Sequence, residues 1–241
     1  MTRVLVVMPT YNEMGNLHSM LDRIHFSNPD VHVLVVDDNS PDGTGQAAQK
    51  RAETDNWLHV LQQPGKGGLG AAYRAGFSWG LDHSYDVLVE MDADGSHQPE
   101  QLPLLLAQIT TADLVLGSRW VNGGSVVNWP LSRKILSLGG NLYTRLMLGI
   151  NIKDATGGYR VFKAETIRSI RLLDRNTQGY IFQVENTYQA VKRGLIVKEV
   201  PITFVERVIG ASKMSNAIVL EALTRVTIWG WRNRVLRRPI D

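Results

Sequence analysis

The 241-residue chain contains no cysteine, which excludes a disulfide framework and any thiolate-bound metal, and which suits a reducing compartment. Long hydrophobic runs are missing too: no uninterrupted apolar stretch approaches the roughly 20 residues that a spanning helix needs. Met1-Thr2-Arg3 leads into an apolar run of strand length, without the n-region, h-region and cleavage site of a secretory signal. Neither a transmembrane helix nor a signal peptide is therefore expected. A large excess of one charge is also lacking, since 26 Lys and Arg face 23 Asp and Glu for a net +3. The basic residues are dispersed and not interleaved with aromatics, which speaks against nucleic acid as a partner. No internal repeat, low-complexity tract or linker interrupts the chain, and 44% hydrophobic residues suffice for a full core.

What is present is a repeated grammar of short β-branched run, polar loop and helical pattern. Apolar runs fall at Arg3–Met8, Val31–Val36, Trp57–Leu61, Val87–Met91 and Leu114–Gly117. Helical patterns lie between them, near Gly15–Ile24, Gly43–Thr54, Gly70–Leu81 and Pro99–Ile109. Continuously apolar strands separated by helices indicate a mostly parallel sheet covered on both faces, an α/β doubly wound domain. Ligands of such sheets bind beyond the carboxyl ends of the strands.

Four of those ends carry chemistry: P9-T-Y-N-E13, D37-D-N-S-P-D-G-T44, D92-A-D94 and G117-S-R119. Taken singly, Asn12 or Asp42 would serve as a helix cap and N39-S-P-D-G as a turn. Four in register point to one shared ligand site. A G-x-G-x-x-G after the first strand is absent, against a dinucleotide fold. The loop P64-G-K-G-G-L-G70 lacks the Walker spacing; its Lys66 is placed equally well against a phosphate or on a flexible surface.

Asp92 and Asp94, one residue apart just past a buried strand, are spaced to converge on one hard cation, with Gly95 turning the backbone away. Mg²⁺ or Mn²⁺ takes one or two carboxylates, keeps waters and is completed by substrate phosphates. Such a cation would neutralise a nucleoside diphosphate leaving a sugar. His97 reads as a structural histidine rather than a ligand.

These residues also carry a resemblance. V35-V-D-D-N-S-P-D-G-T44, M91-D-A-D94, G117-S-R119 with G123-G, N128-W-P-L-S-R133 and G157-G-Y-R160 resemble family 2 glycosyltransferases, and among them the dolichol- or polyprenol-phosphate mannose synthases, over about Val4 to Lys213. The resemblance implies a GT-A fold and transfer of mannose, with inversion, from GDP-mannose to a polyprenyl phosphate. The sequence leaves open two rivals, a polyprenyl-phosphate glucosyltransferase using UDP-glucose and a non-catalytic nucleotide-sugar-binding membrane adaptor, the latter opposed by the intact aspartate pair. It implies that Pro9, Tyr11 and Glu13 line the nucleoside pocket and that Val36 and Asp38 contact the base. Asp92 and Asp94 would hold the metal, with Ser96 where some relatives place a ligating glutamine. Arg119, Arg133, Arg207 and Lys213 match positions that handle the acceptor phosphate and donor diphosphate. A lipid phosphate is already an anionic nucleophile and needs orientation and charge balance more than a base, which suits arginine. Asp94, Arg119 and Arg133 are the expected catalytic set.

Two segments bear on how the protein meets a lipid. Over Ser132–Leu148 one helical face collects Ile135, Leu136, Leu138, Leu142, Tyr143, Leu146 and Met147, with Arg133, Lys134, Ser137, Asn141, Thr144 and Arg145 opposite. The pattern alone favours a core-facing helix over one lying in a membrane interface; the resemblance tips it toward the interface. Ile218–Trp231, leading into the basic Arg232–Arg238, reads equally as a packed terminal helix or as a headgroup-layer anchor. Between them Gly210 is a candidate hinge for a loop carrying Arg207 and Lys213. The expected organisation is a catalytic domain over residues 1–213 and a membrane-associating extension over 214–241, peripheral on the cytoplasmic face, with room for a membrane-protein partner.

Overall fold

A computed structural model describes residues 2–175, 177, 179–207 and 216–235. The first half follows the repeated grammar closely: β1 (Val4–Thr10), α1 (Met14–Ser27), β2 (His32–Asp37), α2 (Thr44–Ala52), β3 (Leu58–Gln62), α3 (Leu69–Asp82), β4 (Val87–Glu90), α4 (Leu102–Ile109) and β5 (Leu114–Ser118). Then come β6 (Ser125–Val127), α5 (Leu131–Leu148), β7 (Arg160–Lys163), α6 (Ala164–Ser169), α7 (Gly179–Lys192), β8 (Val197–Pro201), β9 (Thr203–Val205) and α8 (Asn216–Val235).

The described strands form a seven-stranded sheet in the order β3-β2-β1-β4-β7-β5-β8 and a small β6-β9 ribbon. Every ladder in the large sheet is parallel except those of β7 with β4 and β5. The sheet is thus mixed and mostly parallel, as expected.

Strand alternation divides the core in two. Leu5, Val7, Leu34, Val36 and Leu88 point to the side covered by α3 and α7, where Tyr73, Phe77 and Phe182 pack. Val6, Met8, Val33, Val35 and Val89 point to the side of α1 and α4, against Leu17, Leu21, Leu102 and Leu105. Burial on both faces explains why the strand sequences are continuously apolar. Gly76 lets α3 approach, because a Cβ there would stand 2.3 Å from Val7 Cγ1.

β7 has a consequence for the site. It runs against its neighbours, pairing Arg160 with Glu90 at the end of β4 and with Leu116 of β5. The residues just before it, Gly157 and Gly158, therefore enter the crevice at the carboxyl edge of the sheet.

The core-facing reading of the Ser132–Leu148 pattern is overturned. On α5 the buried residues are Asn141, Thr144 and Leu148, while Leu131, Ile135, Leu136, Leu138, Leu142 and Leu146 are exposed. The helix turns its polar side inward because the loop beneath it needs hydrogen bonds. Asn141 donates to Thr156 Oγ1 at 3.1 Å and accepts from the Ala155 N–H at 2.9 Å. α8 packs on α5 and α7, burying Val226 and Trp229 while Leu220, Ile228 and Trp231 stay exposed. No helix among the described residues is long and apolar enough to cross a membrane. Gly210, Lys213, Arg237 and Arg238 lie outside the described residues, so the hinge reading and the end of the Arg232–Arg238 basic stretch do too.

Candidate active site

The carboxyl edge of the sheet holds a cleft of about 400 Å³. Pro9, Tyr11, Glu13, Asp38, Asp92, Asp94, Arg119, Arg133 and Arg207 all line it, so residues far apart in sequence converge as the strand-end argument requires.

Hydrogen bonds stitch the first two strand-end loops together. Thr10 Oγ1 donates to Asp37 Oδ1 at 2.8 Å, the Asn12 N–H to Ser40 Oγ at 3.0 Å, and the Glu13 N–H to Thr44 Oγ1 at 3.1 Å. Asp37 is the hub: it also accepts from the Ser40 N–H, Ser40 Oγ and Gln62 Nε2. Asp42 accepts from the Met14 N–H, the Thr44 N–H and Thr44 Oγ1, which is the capping role. These bonds hold its pKa below the carboxylate range although burial opposes them. Asp38 instead faces the cleft and accepts from the Gly67 and Gly68 N–H groups at 3.1 and 3.2 Å. That pairing brings in the glycine loop: Lys66 lies 4.3 Å above the Tyr11 ring and lines the cleft. Lys66 belongs to the site, a placement its spacing in sequence left open.

Val36 does not reach the cleft. Its side chain is fully buried and would touch a Cβ at Gly76 at 3.0 Å; strand alternation turns it toward α3, so of the expected base-contacting pair only Asp38 is available.

At the end of β4, Tyr73 donates to Asp92 Oδ1 at 3.0 Å. Burial, reinforced by the charges of Asp92 and Glu90, raises the Tyr73 pKa well above 10, so it stays a phenol. The Asp92 N–H donates to His97 Nδ1 at 3.0 Å. His97 is buried, stacks on Tyr159 with ring centroids 5.0 Å apart, and burial lowers its pKa although Asp92 and Asp94 oppose this. It is a neutral structural acceptor, as its sequence context suggested. Asp94 Oδ1 accepts from the Ser96 N–H at 3.0 Å, and Asp94 Oδ2 pairs with Arg207 at 3.0 Å. Gly95 has φ +77° with open space where a Cβ would stand, so backbone conformation, not crowding, calls for glycine there.

The residues fit a hard cation. Asp92 keeps 31% of its side-chain surface exposed, and burial together with the nearby Asp94 charge raises its pKa, against the pull of His97. Charge crowding of this kind is relieved by a cation. Ser96 Oγ is buried beside the pair without a hydrogen-bond partner. Among the described residues no three His, Cys, Asp or Glu side chains form a metal-holding group; the protein offers two carboxylates, the share Mg²⁺ or Mn²⁺ takes when substrate phosphates supply the rest.

Arg119 is anchored. Its Nε and one terminal nitrogen donate to Asp154 at 2.7 and 2.6 Å, and Thr156 Oγ1 accepts at 3.1 Å. Asp154 is fully buried, and Arg119 holds its pKa down against the cost of burial. Sequence reasoning singled out Arg119 but not Asp154, 35 residues on, which no local pattern pairs with it. The Arg133 guanidinium lies 4.0 Å over the Trp129 ring and forms an ion pair with Glu206. Thr156, Gly158, Gln183 and Phe204 also line the cleft; Gly158 lies in a motif the sequence displays, whereas Thr156, Gln183 and Phe204 are brought in only in three dimensions.

A second, apolar groove of about 580 Å³ runs between α5 and α8, lined by Ile135, Leu136, Tyr143, Ala222, Leu223 and Val226 among others. It shares Arg119, Arg133 and Thr156 with the polar cleft, so the two meet at a pair of guanidinium groups.

A mostly parallel sheet with a paired-aspartate strand end beside a nucleotide-sized cleft defines the GT-A class of glycosyltransferase. The chain matches glycosyl transferase family 2 over residues 5–171 and belongs to that family. It is 57% identical over 228 residues to an undecaprenyl-phosphate mannosyltransferase of Micrococcus luteus, covering 95% of this chain and 94% of that one. It is 51% identical over 237 residues to a polyprenol monophosphomannose synthase of Mycolicibacterium smegmatis, covering 98% and 89%. Among solved structures, glucosyl-3-phosphoglycerate synthase from Mycobacterium tuberculosis with Mn²⁺, UDP and glucosyl-3-phosphoglycerate aligns with a TM-score of 0.66 at 21% identity, over 100% of this chain and 81% of that one. A mannosyltransferase from Pyrobaculum calidifontis with GDP-Man and Mn²⁺ aligns at 0.59 and 20%, over 99% and 65%. At such identities the structural likeness establishes the fold.

Proposed function

We propose that this enzyme transfers mannose from GDP-mannose to a polyprenyl monophosphate with inversion, forming polyprenyl-phosphate mannose. The mannosyl transfer and the lipid-phosphate acceptor agree with the names of the two curated relatives. The observation that carries the reading is the meeting of the apolar groove and the polar cleft at Arg119 and Arg133: one side accommodates an isoprenoid tail, the other a nucleotide sugar, and the basic pair stands where a lipid phosphate would join them.

The nucleoside occupies the wall of Pro9, Tyr11, Glu13 and Asp38. Asp92 and Asp94, with Ser96 beside them, hold a divalent cation, Mg²⁺ or Mn²⁺. When bound, this cation offsets charge on the departing diphosphate. Arg133 and Arg119 orient the acceptor phosphate, whose oxygen attacks the anomeric carbon as the bond to the diphosphate breaks; Arg207 and Lys213 balance charge at the donor. The nucleophile is already anionic, so no general base is required. The exposed apolar side of α5, with α8 and residues 214–241, rests in the interface of the cytoplasmic leaflet as a peripheral anchor.

The test is transfer of radiolabelled sugar into organic-extractable polyprenyl phosphate, with GDP-mannose and UDP-glucose in parallel, with Mg²⁺ or Mn²⁺ and with chelator. Chelator-sensitive labelling from GDP-mannose alone is expected. Labelling from UDP-glucose alone overturns the donor, and nucleotide binding without labelling from either overturns the activity.

A further inference from the structure

Gln183, on α7, is a buried polar group whose side-chain amide the fold leaves without a hydrogen-bond partner. It retains 2% exposure, lines the donor cleft, and neither its Oε1 nor its Nε2 has a hydrogen-bond partner. Its carboxamide faces the buried Glu90 carboxyl and favours the ionised form, yet in a geometry short of a hydrogen bond. A buried amide with its bonds unmade is a cost to folding, and one that lines a ligand cleft is placed for a ligand to complete it.

The backbone at Gln183, by contrast, is tightly held. Its carbonyl accepts from Arg160 at 2.8 Å and from Thr187 Oγ1 at 3.0 Å. The same fully buried guanidinium donates to the Gly157 and Ala155 carbonyls, each at 2.7 Å. Arg160 thus bolts the 155–158 loop to α7 at the level of Gln183. Across the gap stands Gly158, where a Cβ would lie 3.9 Å from Gln183 Nε2 and 3.8 Å from Asp92 Oδ2. The missing side chain leaves room between the amide and the carboxylate at the diphosphate end of the cleft, where a hexose attached to that diphosphate would fall.

We infer that Gln183 is a specificity-determining residue that reads the transferred hexose, its carboxamide bonding the sugar hydroxyls in the space left by Gly158. A carboxamide presents a donor and an acceptor side by side, the complement of two neighbouring hydroxyls, and it discriminates epimers because a misplaced hydroxyl leaves one of its atoms unpaired. The inference rests on the donor reading above and extends it from nucleotide to sugar.

The experiment compares binding of GDP, GDP-mannose and its C2 epimer GDP-glucose, by calorimetry with Mn²⁺ present, to wild type, Gln183→Leu, Gln183→Met and Gly158→Ala. For the Gln183 variants GDP affinity should stay within about twofold, GDP-mannose affinity should fall about tenfold, and the preference for mannose over glucose should shrink several-fold. Their melting temperatures should equal or exceed wild type, because a non-bonded amide is removed. Gly158→Ala should weaken GDP-mannose while sparing GDP. The inference is overturned if Gln183→Leu and Gln183→Met leave GDP-mannose affinity and epimer preference within twofold of wild type. Equal weakening of GDP and GDP-mannose together with a lowered melting temperature would also overturn it, by showing a structural role. A wild type that binds UDP-glucose and not GDP-mannose overturns the donor alone; UDP-glucose against UDP in the same variants then decides the role of Gln183.

Discussion

Asp92, Asp94, Arg119 and Arg133 each already hold a partner within the cleft, and this sets what substitutions should do. Asp94 accepts from the Ser96 N–H and pairs with Arg207, while 8% of the residue remains exposed. Asp94→Ala should lower transfer by at least about 10³-fold, as expected for removal of a charge-stabilising centre, and leave cooperative melting intact; undiminished turnover would remove the metal assignment. Arg133 combines an aromatic platform at Trp129 with the Glu206 pair, and a lysine reproduces neither planar stacking nor a two-pronged grip. Arg133→Lys should therefore slow transfer to lipid phosphate more than it weakens GDP-mannose binding, and an unchanged acceptor rate would count against its role. Arg160 is the structural counterpart. Its guanidinium donates to the Gly157, Gln183 and Ala155 carbonyls, so Arg160→Met should strand buried acceptors and destabilise by roughly 3 kcal/mol or more, read as a fall in the denaturant midpoint.

Among the elements, α5 departs most from ordinary globular behaviour. Its polar side holds Asp154–Thr156 in place while Ile135, Leu138, Leu142 and Leu146 face outward. Exposed leucines contribute little to folding, so Leu142→Ser with Leu146→Ser should change stability by no more than about 0.5 kcal/mol each. The pair should nonetheless reduce co-sedimentation with anionic lipid vesicles, each buried methylene being worth about 0.8 kcal/mol in membrane partitioning. Undiminished sedimentation would show that α5 is not the contact surface. The helix was legible from its periodicity, but its orientation was not, because an amphipathic helix reads the same whether its apolar side meets a core or a bilayer.

For the molecule as a whole, one buried carboxyl links stability to pH. Burial pushes Glu90 up to about 8 from 4.5, against the pull of Arg160 and Gln183 and helped by the charge of Asp92. A carboxyl with a raised folded-state pKa binds its proton more tightly folded than unfolded, so its contribution is fully present below about 4.5 and is lost as pH rises through about 8. The melting temperature of wild type relative to Glu90→Gln should decline across that window; a constant difference would mean that Glu90 is ionised throughout.

The order of strands and helices in the first half and the strand-end cluster of Pro9, Tyr11, Glu13, Asp38, Asp92, Asp94 and Arg119 follow from the sequence alone. Hydrophobic period and strand length are local properties, and a parallel sheet places successive carboxyl ends along one edge. Tertiary structure alone decided three things. β7, with Val161 and Phe162 flanked by Arg160 and Lys163, shows no apolar run, yet its reversed direction delivers Gly157 and Gly158 to the crevice. Strand alternation and the closeness of α3 at Gly76 withdrew Val36 from the site. The partners Arg119–Asp154, Arg160–Gln183 and Arg133–Glu206, separated by 35, 23 and 73 residues, exist only because the fold closes those loops, and no pattern confined to neighbouring residues encodes a contact made at such a distance.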